Sequence, residues 1–185
     1  MFPVGGIEVM LVGAVLSGLV CLVLGGLLGP RVGWITAWSL AGLLWSLAVI
    51  ACLTLIPAEA NPGVVSAESR MDTCSWDIGG PAPDGFWIFS GGQRLLNTVA
   101  FVPSGALLVL LASRWRAAVV ILVPIGLALL AAYSAAIERT QLELARIDRA
   151  CDVTDVVDNV TGAVLGVLLG GVLALVLRPW RARIA

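Results

Sequence analysis

Long apolar runs, almost free of charge, constrain this chain more than any other feature. Residues 34–56, 95–112 and 117–137 contain no Asp, Glu, Lys or Arg; residues 4–28 contain only Glu8, and residues 156–177 only Asp158. A helix needs about 20 predominantly apolar residues to cross the hydrocarbon core, where lipid offers no partner for an unpaired backbone N–H or C=O. The five runs therefore predict five transmembrane helices. Only 12% of the 185 residues are charged, against about 25% in a soluble domain. The expectation is an all-α polytopic membrane protein, a single transmembrane domain over residues 1–185. The first run lacks a basic segment before it and exceeds the roughly 7–15 apolar residues of a cleaved signal, so it reads as a span.

Arginine placement predicts an orientation. Arg31 falls between spans one and two, Arg114 and Arg116 between spans three and four, and Arg178, Arg181 and Arg183 after span five. With five spans these positions share one side, which the excess of positive charge assigns to the cytoplasm. The N-terminus then faces outside and the C-terminus is cytoplasmic. Residues 57–94 become a long outer loop between spans two and three, and a short outer connection joins spans four and five. Arg139, Arg146 and Arg149 oppose this assignment, but they alternate with Glu143, Asp148 and Asp152, which can neutralise them. Trp34, Trp115 and Trp180 stand at the inner ends, where indole rings favour the interface. Phe86, Trp87, Ile88 and Phe89, too few to span, would dip into the interface from the loop.

Composition excludes several chemistries. All 11 basic residues are Arg and there is no His. No lysine is present for a phosphate loop or a Schiff base, and no imidazole for a triad or a metal. A net charge of −1 gives no general attraction to nucleic acid. Of the 4 cysteines, Cys21 and Cys52 fall inside spans. Cys74 and Cys151 fall outside in this topology, an oxidising location, where a disulfide between them would tether the loop beside the connection.

That connection carries the densest polar pattern. Glu138 and Gln141 are three apart and share a helix face; Asp152, Asp155 and Asn159 follow an i, i+3, i+7 spacing, again one face. Ionisable groups at a membrane are costly unless paired, solvated or used. Asp152 also suits an N-cap and Asp155 the positive end of a helix, but capping does not require Glu138, Gln141, Asn97 and Asn159 at the same level. Asn97 and Asn159 are placed to bond each other or a carboxylate between them, and Pro103 with Gly105 would loosen span three beneath them. Small residues recur every fourth position at Gly13, Ser17, Cys21, Gly25 and Gly29, and at Gly162, Gly166 and Gly170. Such stripes let helices approach closely, within one chain or in a homodimer.

Glu138-x-x-Gln141 followed by Arg149-x-x-Asp152-x-x-Asp155-x-x-x-Asn159-x-x-Gly162 resembles the VanZ-like family of bacterial membrane proteins. Asn97, Phe101, Pro103 and Gly105 resemble the family's motif at the head of an earlier helix. The resemblance covers residues 94–177, and Asp148 stands where the family often has Gly. It implies a multi-pass protein of the bacterial plasma membrane, acting at the cell envelope. The family's founding member is associated with low-level resistance to teicoplanin; no reaction follows from the resemblance.

Arg94, Asn97, Glu138, Gln141, Arg149, Asp152, Asp155 and Asn159 are the candidate ligand-binding residues. Both signs of charge beside apolar helices suit an amphiphile with a charged head: a membrane lipid, a lipid-linked cell-wall precursor or a lipoglycopeptide antibiotic. Glu138, Asp152 and Asp155 are candidate ligands for a divalent cation, since hard cations take oxygen donors. A carboxylate- or metal-dependent hydrolase or transferase is the alternative, with Ser104 and Cys151 as candidate nucleophiles. A transporter or flippase is a third reading.

Overall fold

The computed structural model describes residues 5–58, 73–76, 92–143 and 151–181, with the side chain of Gln93 excepted. Five helices form the bundle: α1 (Ile7–Val32), α2 (Trp34–Leu55), α3 (Gly92–Ala112), α4 (Val119–Glu143) and α5 (Val153–Leu177). All five are long and apolar enough to cross a membrane. A single 3-10 turn, Pro179–Arg181, follows α5. Among the described residues, strand-like pairing is confined to one isolated parallel bridge between Ser75 and Asp152.

The helices are apolar on most of their circumference. Leu11, Val15, Leu16, Leu19 and Val23 of α1 and Leu168, Leu175 and Val176 of α5 are all more than half exposed in the isolated chain. In water this would be unfavourable; in lipid it is the solvated surface.

α1 and α2 form a tight hairpin joined by Gly33 alone, at φ 87° and ψ 139°, a conformation that residues with a Cβ rarely adopt. The turn sets an antiparallel register in which glycines on α1 face large side chains on α2. Gly29 lies against Trp34, Gly25 against Trp38, Gly18 against Trp45 and Gly13 against Cys52. Trp45 Nε1 donates to the Ala14 carbonyl at 2.9 Å. The small-residue face of α1 is thus covered within the chain.

The rest of the bundle is built around α3. Its Phe101, fully buried, packs with Ile50 of α2, Leu130 and Ile137 of α4 and Ala163 of α5. The Phe101 ring centroid is 6.4 Å from that of Tyr133, whose hydroxyl donates to the Leu47 carbonyl at 2.7 Å. Ser46 and Ser104 share a hydrogen bond of 2.9 Å between α2 and α3. Pro103 is accommodated within α3. Gly105 opens no space there: a Cβ at that position would meet the Ala163 carbonyl of α5. The expected loosening beneath the polar residues is replaced by a close helix contact.

Candidate functional site

α3 and α5 run parallel in constant register. Gly162 lies on the Thr98 carbonyl, Gly166 on the Val102 carbonyl and Gly170 on the Ala106 carbonyl. Every fourth residue of α5 lacks a side chain, so the two backbones touch. One rung further, at the same 64-residue separation, stand Arg94 and Asp158. Arg94 Nε donates to Asp158 Oδ2 and Nη2 to Oδ1, both at 2.9 Å. This is the two-pronged geometry that suits a guanidinium and a carboxylate. Asp158 is 0% exposed and Arg94 8%. The glycine ladder explains this burial, because helices held so closely leave no route for solvent to their uppermost pair.

α4 supplies the second side of the layer. Glu138 and Gln141, both buried, point inward from its last turns. Glu138 Oε2 accepts from the Asp152 backbone N–H at 3.2 Å, while the Asp152 side chain caps α5 by accepting from the Thr154 N–H at 2.8 Å. Gln141 Nε2 donates to the Thr54 carbonyl at 3.0 Å, at the end of α2. Deeper, Asn159 Nδ2 donates to Ser134 Oγ at 2.9 Å. Four helices therefore contribute polar groups to one end of the bundle. Asp155 occupies the first turn of α5, where the helix dipole favours a carboxylate.

Asn97 completes the layer differently. Leu108 of α3 lies against Gly126 of α4, and Phe101 against Tyr133. One turn back on α3 and one turn forward on α4 bring Asn97 to the level of Ile137 and Glu138. Its Nδ2 is buried and has no hydrogen-bond partner among the described residues. A buried donor left unpaired costs about 1–3 kcal/mol.

The segment at residues 73–76 is fastened to this end. Cys74 and Cys151 form a disulfide with Cα atoms 4.6 Å apart. The neighbouring Ser75 N–H donates to the Cys151 carbonyl at 2.9 Å, and the Val153 N–H donates to the Ser75 carbonyl at 3.1 Å. Peptide mapping of the non-reduced protein should recover the Cys74–Cys151 cross-link, with Cys21 and Cys52 alkylated as free thiols; free Cys74 and Cys151 would contradict this arrangement.

The structure places most of the sequence-predicted site residues together. Glu138, Gln141, Asp152, Asp155, Asn159, Arg94 and Asn97 converge on one end. Asn97 and Asn159 do not bond each other, since Asn159 is engaged by Ser134. Asp152 acts as the N-cap of α5. Among the described residues no group of three or more Asp, Glu or Cys is arranged to hold a metal ion. Of the candidate nucleophiles, Ser104 is fully buried and bonded to Ser46, and Cys151 is oxidised in the disulfide. Arg149 lies outside the described residues, as do Arg146, Asp148, residues 86–89 and most of the loop. Arg139 pairs with Glu143 at 2.8 Å on the exposed face of α4.

Asp158 is the residue that sequence reasoning passed over. It stands four positions before Gly162, on the stripe that had already been identified. An acid on a docking face must find a partner in that interface, and Arg94 is the basic residue at the corresponding end of α3. Ser134 and Thr54 gave no comparable signal, because hydroxyls in apolar helices commonly bond their own backbone, as Thr54 also does to Ile50.

A family model described as VanZ/LLP1 matches residues 43–174, from the middle of α2 almost to the end of α5. No curated protein and no solved structure matches the chain.

Proposed function

The chain belongs to the VanZ/LLP1 family, and from this membership and the polar layer we propose that it binds the charged head of an amphiphile at the disulfide-bearing end of the bundle. The single observation that carries the reading is Asn97. In a layer where Arg94, Asp158, Gln141 and Asn159 each have a partner, its buried amide donor has none among the described residues. A phosphate, carboxylate or carbonyl oxygen on a headgroup would satisfy it. Glu138 and Asp155 add negative charge suited to an amine on the same molecule. Membrane lipids, lipid-linked cell-wall precursors and lipoglycopeptides such as teicoplanin combine these groups with an apolar tail.

The reading includes an orientation. A disulfide persists in an oxidising compartment, so the Cys74–Cys151 end is the outer end in a bacterial plasma membrane. Arg31, Arg114, Arg116, Arg178 and Arg181 lie at the opposite end, as the positive-inside bias requires. The Arg139–Glu143 pair offsets one outer arginine.

Native mass spectrometry of the full chain extracted from membranes tests the proposal. Wild-type protein should carry a co-purifying amphiphile. Asn97→Leu, of similar volume, should retain it at least about tenfold less while melting as a folded protein. Folded Asn97→Leu and Glu138→Gln variants that carry the same molecule in wild-type proportion would overturn it.

A further inference from the structure

The other end of the bundle has a charge distribution of its own. All 12 acidic residues are Glu8 or lie within residues 59–84 or 138–158. Among the described residues, the end where α1 leads into α2, α3 into α4, and α5 finishes therefore has no acidic side chain, yet carries Arg31, Arg114, Arg116, Arg178 and Arg181. Three of these have partners of their own. Arg31 Nη1 donates to the Leu27 carbonyl at 3.2 Å, Arg178 Nε to the Leu175 carbonyl at 3.4 Å, and the Arg116 guanidinium lies 4.9 Å from the centre of the Trp180 ring.

Arg114 differs. Its guanidinium lies 6.0 Å from the Trp115 ring centre, but its Nη1 is buried without a hydrogen-bond partner among the described residues. A second orphan lies at the same level. Thr36, 4% exposed, has a buried hydroxyl with no partner among the described residues. Ser46 of α2 meets Ser104 of α3. Ten residues back along antiparallel α2 lead from that contact to Thr36, and eight forward along α3 lead to its last residue, Ala112, with Arg114 two residues beyond in the turn that follows. Trp34 and Trp38 mark the face of α2 that meets α1. Thr36, two residues from each, lies roughly 160° around the helix from them, toward the rest of the bundle. It also occupies the first turn of α2, where no side chain caps the helix and the backbone dipole favours an anion.

Two buried donors, one of them charged, thus share a level at an end where no acidic side chain among the described residues takes them. An anion with several oxygens can accept from both and neutralise the arginine. The exposed Trp34 and Trp115 rings mark this level as the membrane–water interface, the depth of lipid phosphates. We propose that Arg114 and Thr36 hold the phosphate of an anionic phospholipid at the arginine-bearing end of the bundle. The site is separate from the polar layer and does not depend on what that layer binds.

The test uses the purified full chain in detergent, titrated with phosphatidylglycerol, phosphatidylcholine or inorganic phosphate, with thermal melting and native mass spectrometry as readouts. Phosphatidylglycerol should raise the melting temperature and bind roughly five- to tenfold more tightly than phosphatidylcholine. Arg114→Gln and Thr36→Val should each lose most of that preference, whereas Arg31→Gln at the same end and Arg139→Gln on the exposed face at the other should keep it. Equal binding of the two lipids would overturn the site. An equal loss in Arg31→Gln and Arg114→Gln would overturn it too, since the attraction would then be diffuse. Inorganic phosphate reproducing the full shift at the same concentration would overturn the lipid as its source.

Discussion

Asp158→Asn should destabilise the detergent-solubilised protein by about 3–5 kcal/mol, read as a loss of unfolding free energy in denaturant titration. The side chain hardly changes in size, so packing is not the cause. The substitution leaves the Arg94 guanidinium buried beside a neutral amide that can match only part of its two-pronged bond. Both groups lie where the glycine contacts between α3 and α5 exclude solvent, so Arg94 cannot recover its hydration without parting the helices. Arg94→Leu should cost a similar amount, by leaving a carboxylate that is 0% exposed without its cation. The exposed Arg139–Glu143 pair provides the contrast: Glu143→Gln should change stability by under about 1 kcal/mol, because solvent already screens that interaction.

Gly166→Leu should have an effect of comparable size, about 3 kcal/mol or more, at the upper end of overpacking substitutions. A Cβ at Gly166 would meet the Val102 carbonyl and come within 2.9 Å of the Ala106 nitrogen. These are backbone atoms of a helix and cannot rotate aside as a side chain can. α3 and α5 must separate, and Arg94 and Asp158, two rungs along the same contact, separate with them. Gly171→Leu is the matched control. A Cβ there meets nothing within 4 Å, and replacing a helical glycine adds up to about 1 kcal/mol of helix propensity. Denaturant titration should therefore find Gly171→Leu at least as stable as the wild type, and Gly166→Leu strongly destabilised. Equal effects would mean that the two helices are not in backbone contact.

What could be read from the sequence divides along physical lines. The five spans were legible because lipid forces each crossing segment to be apolar and helical, leaving little local choice. The Gly162–Gly166–Gly170 stripe was legible as a contact face, because small residues at a four-residue period have few other uses in a membrane. Glu138 and Gln141 were legible as neighbours from their spacing on one helix. Partner choice between helices was harder. Asn97 and Asn159 were expected to bond each other or a carboxylate between them, but Ser134 on α4 takes Asn159, and the sequence carries no trace of the rotation of α4 that brings it there. Asp158 was within reach, since extending the glycine stripe by one step arrives at it; the acid looked like part of a helix start, whereas the stripe places it in an interface. Gly105 misled in the opposite direction: beside Pro103 it suggested a weak point in α3, but its missing side chain admits the backbone of α5.

The polar layer depends on α3 and α5 being keyed together at Arg94 and Asp158, and a double-mutant cycle measures that directly. Arg94→Leu, Asp158→Leu and the double variant would be compared by unfolding free energy in one detergent. A buried pair predicts strong coupling, roughly 2 kcal/mol or more, with the double variant more stable than the two single losses combined would allow. Losses that add to within about 0.5 kcal/mol would show that the two residues do not interact, and the proposed register of the bundle would be wrong.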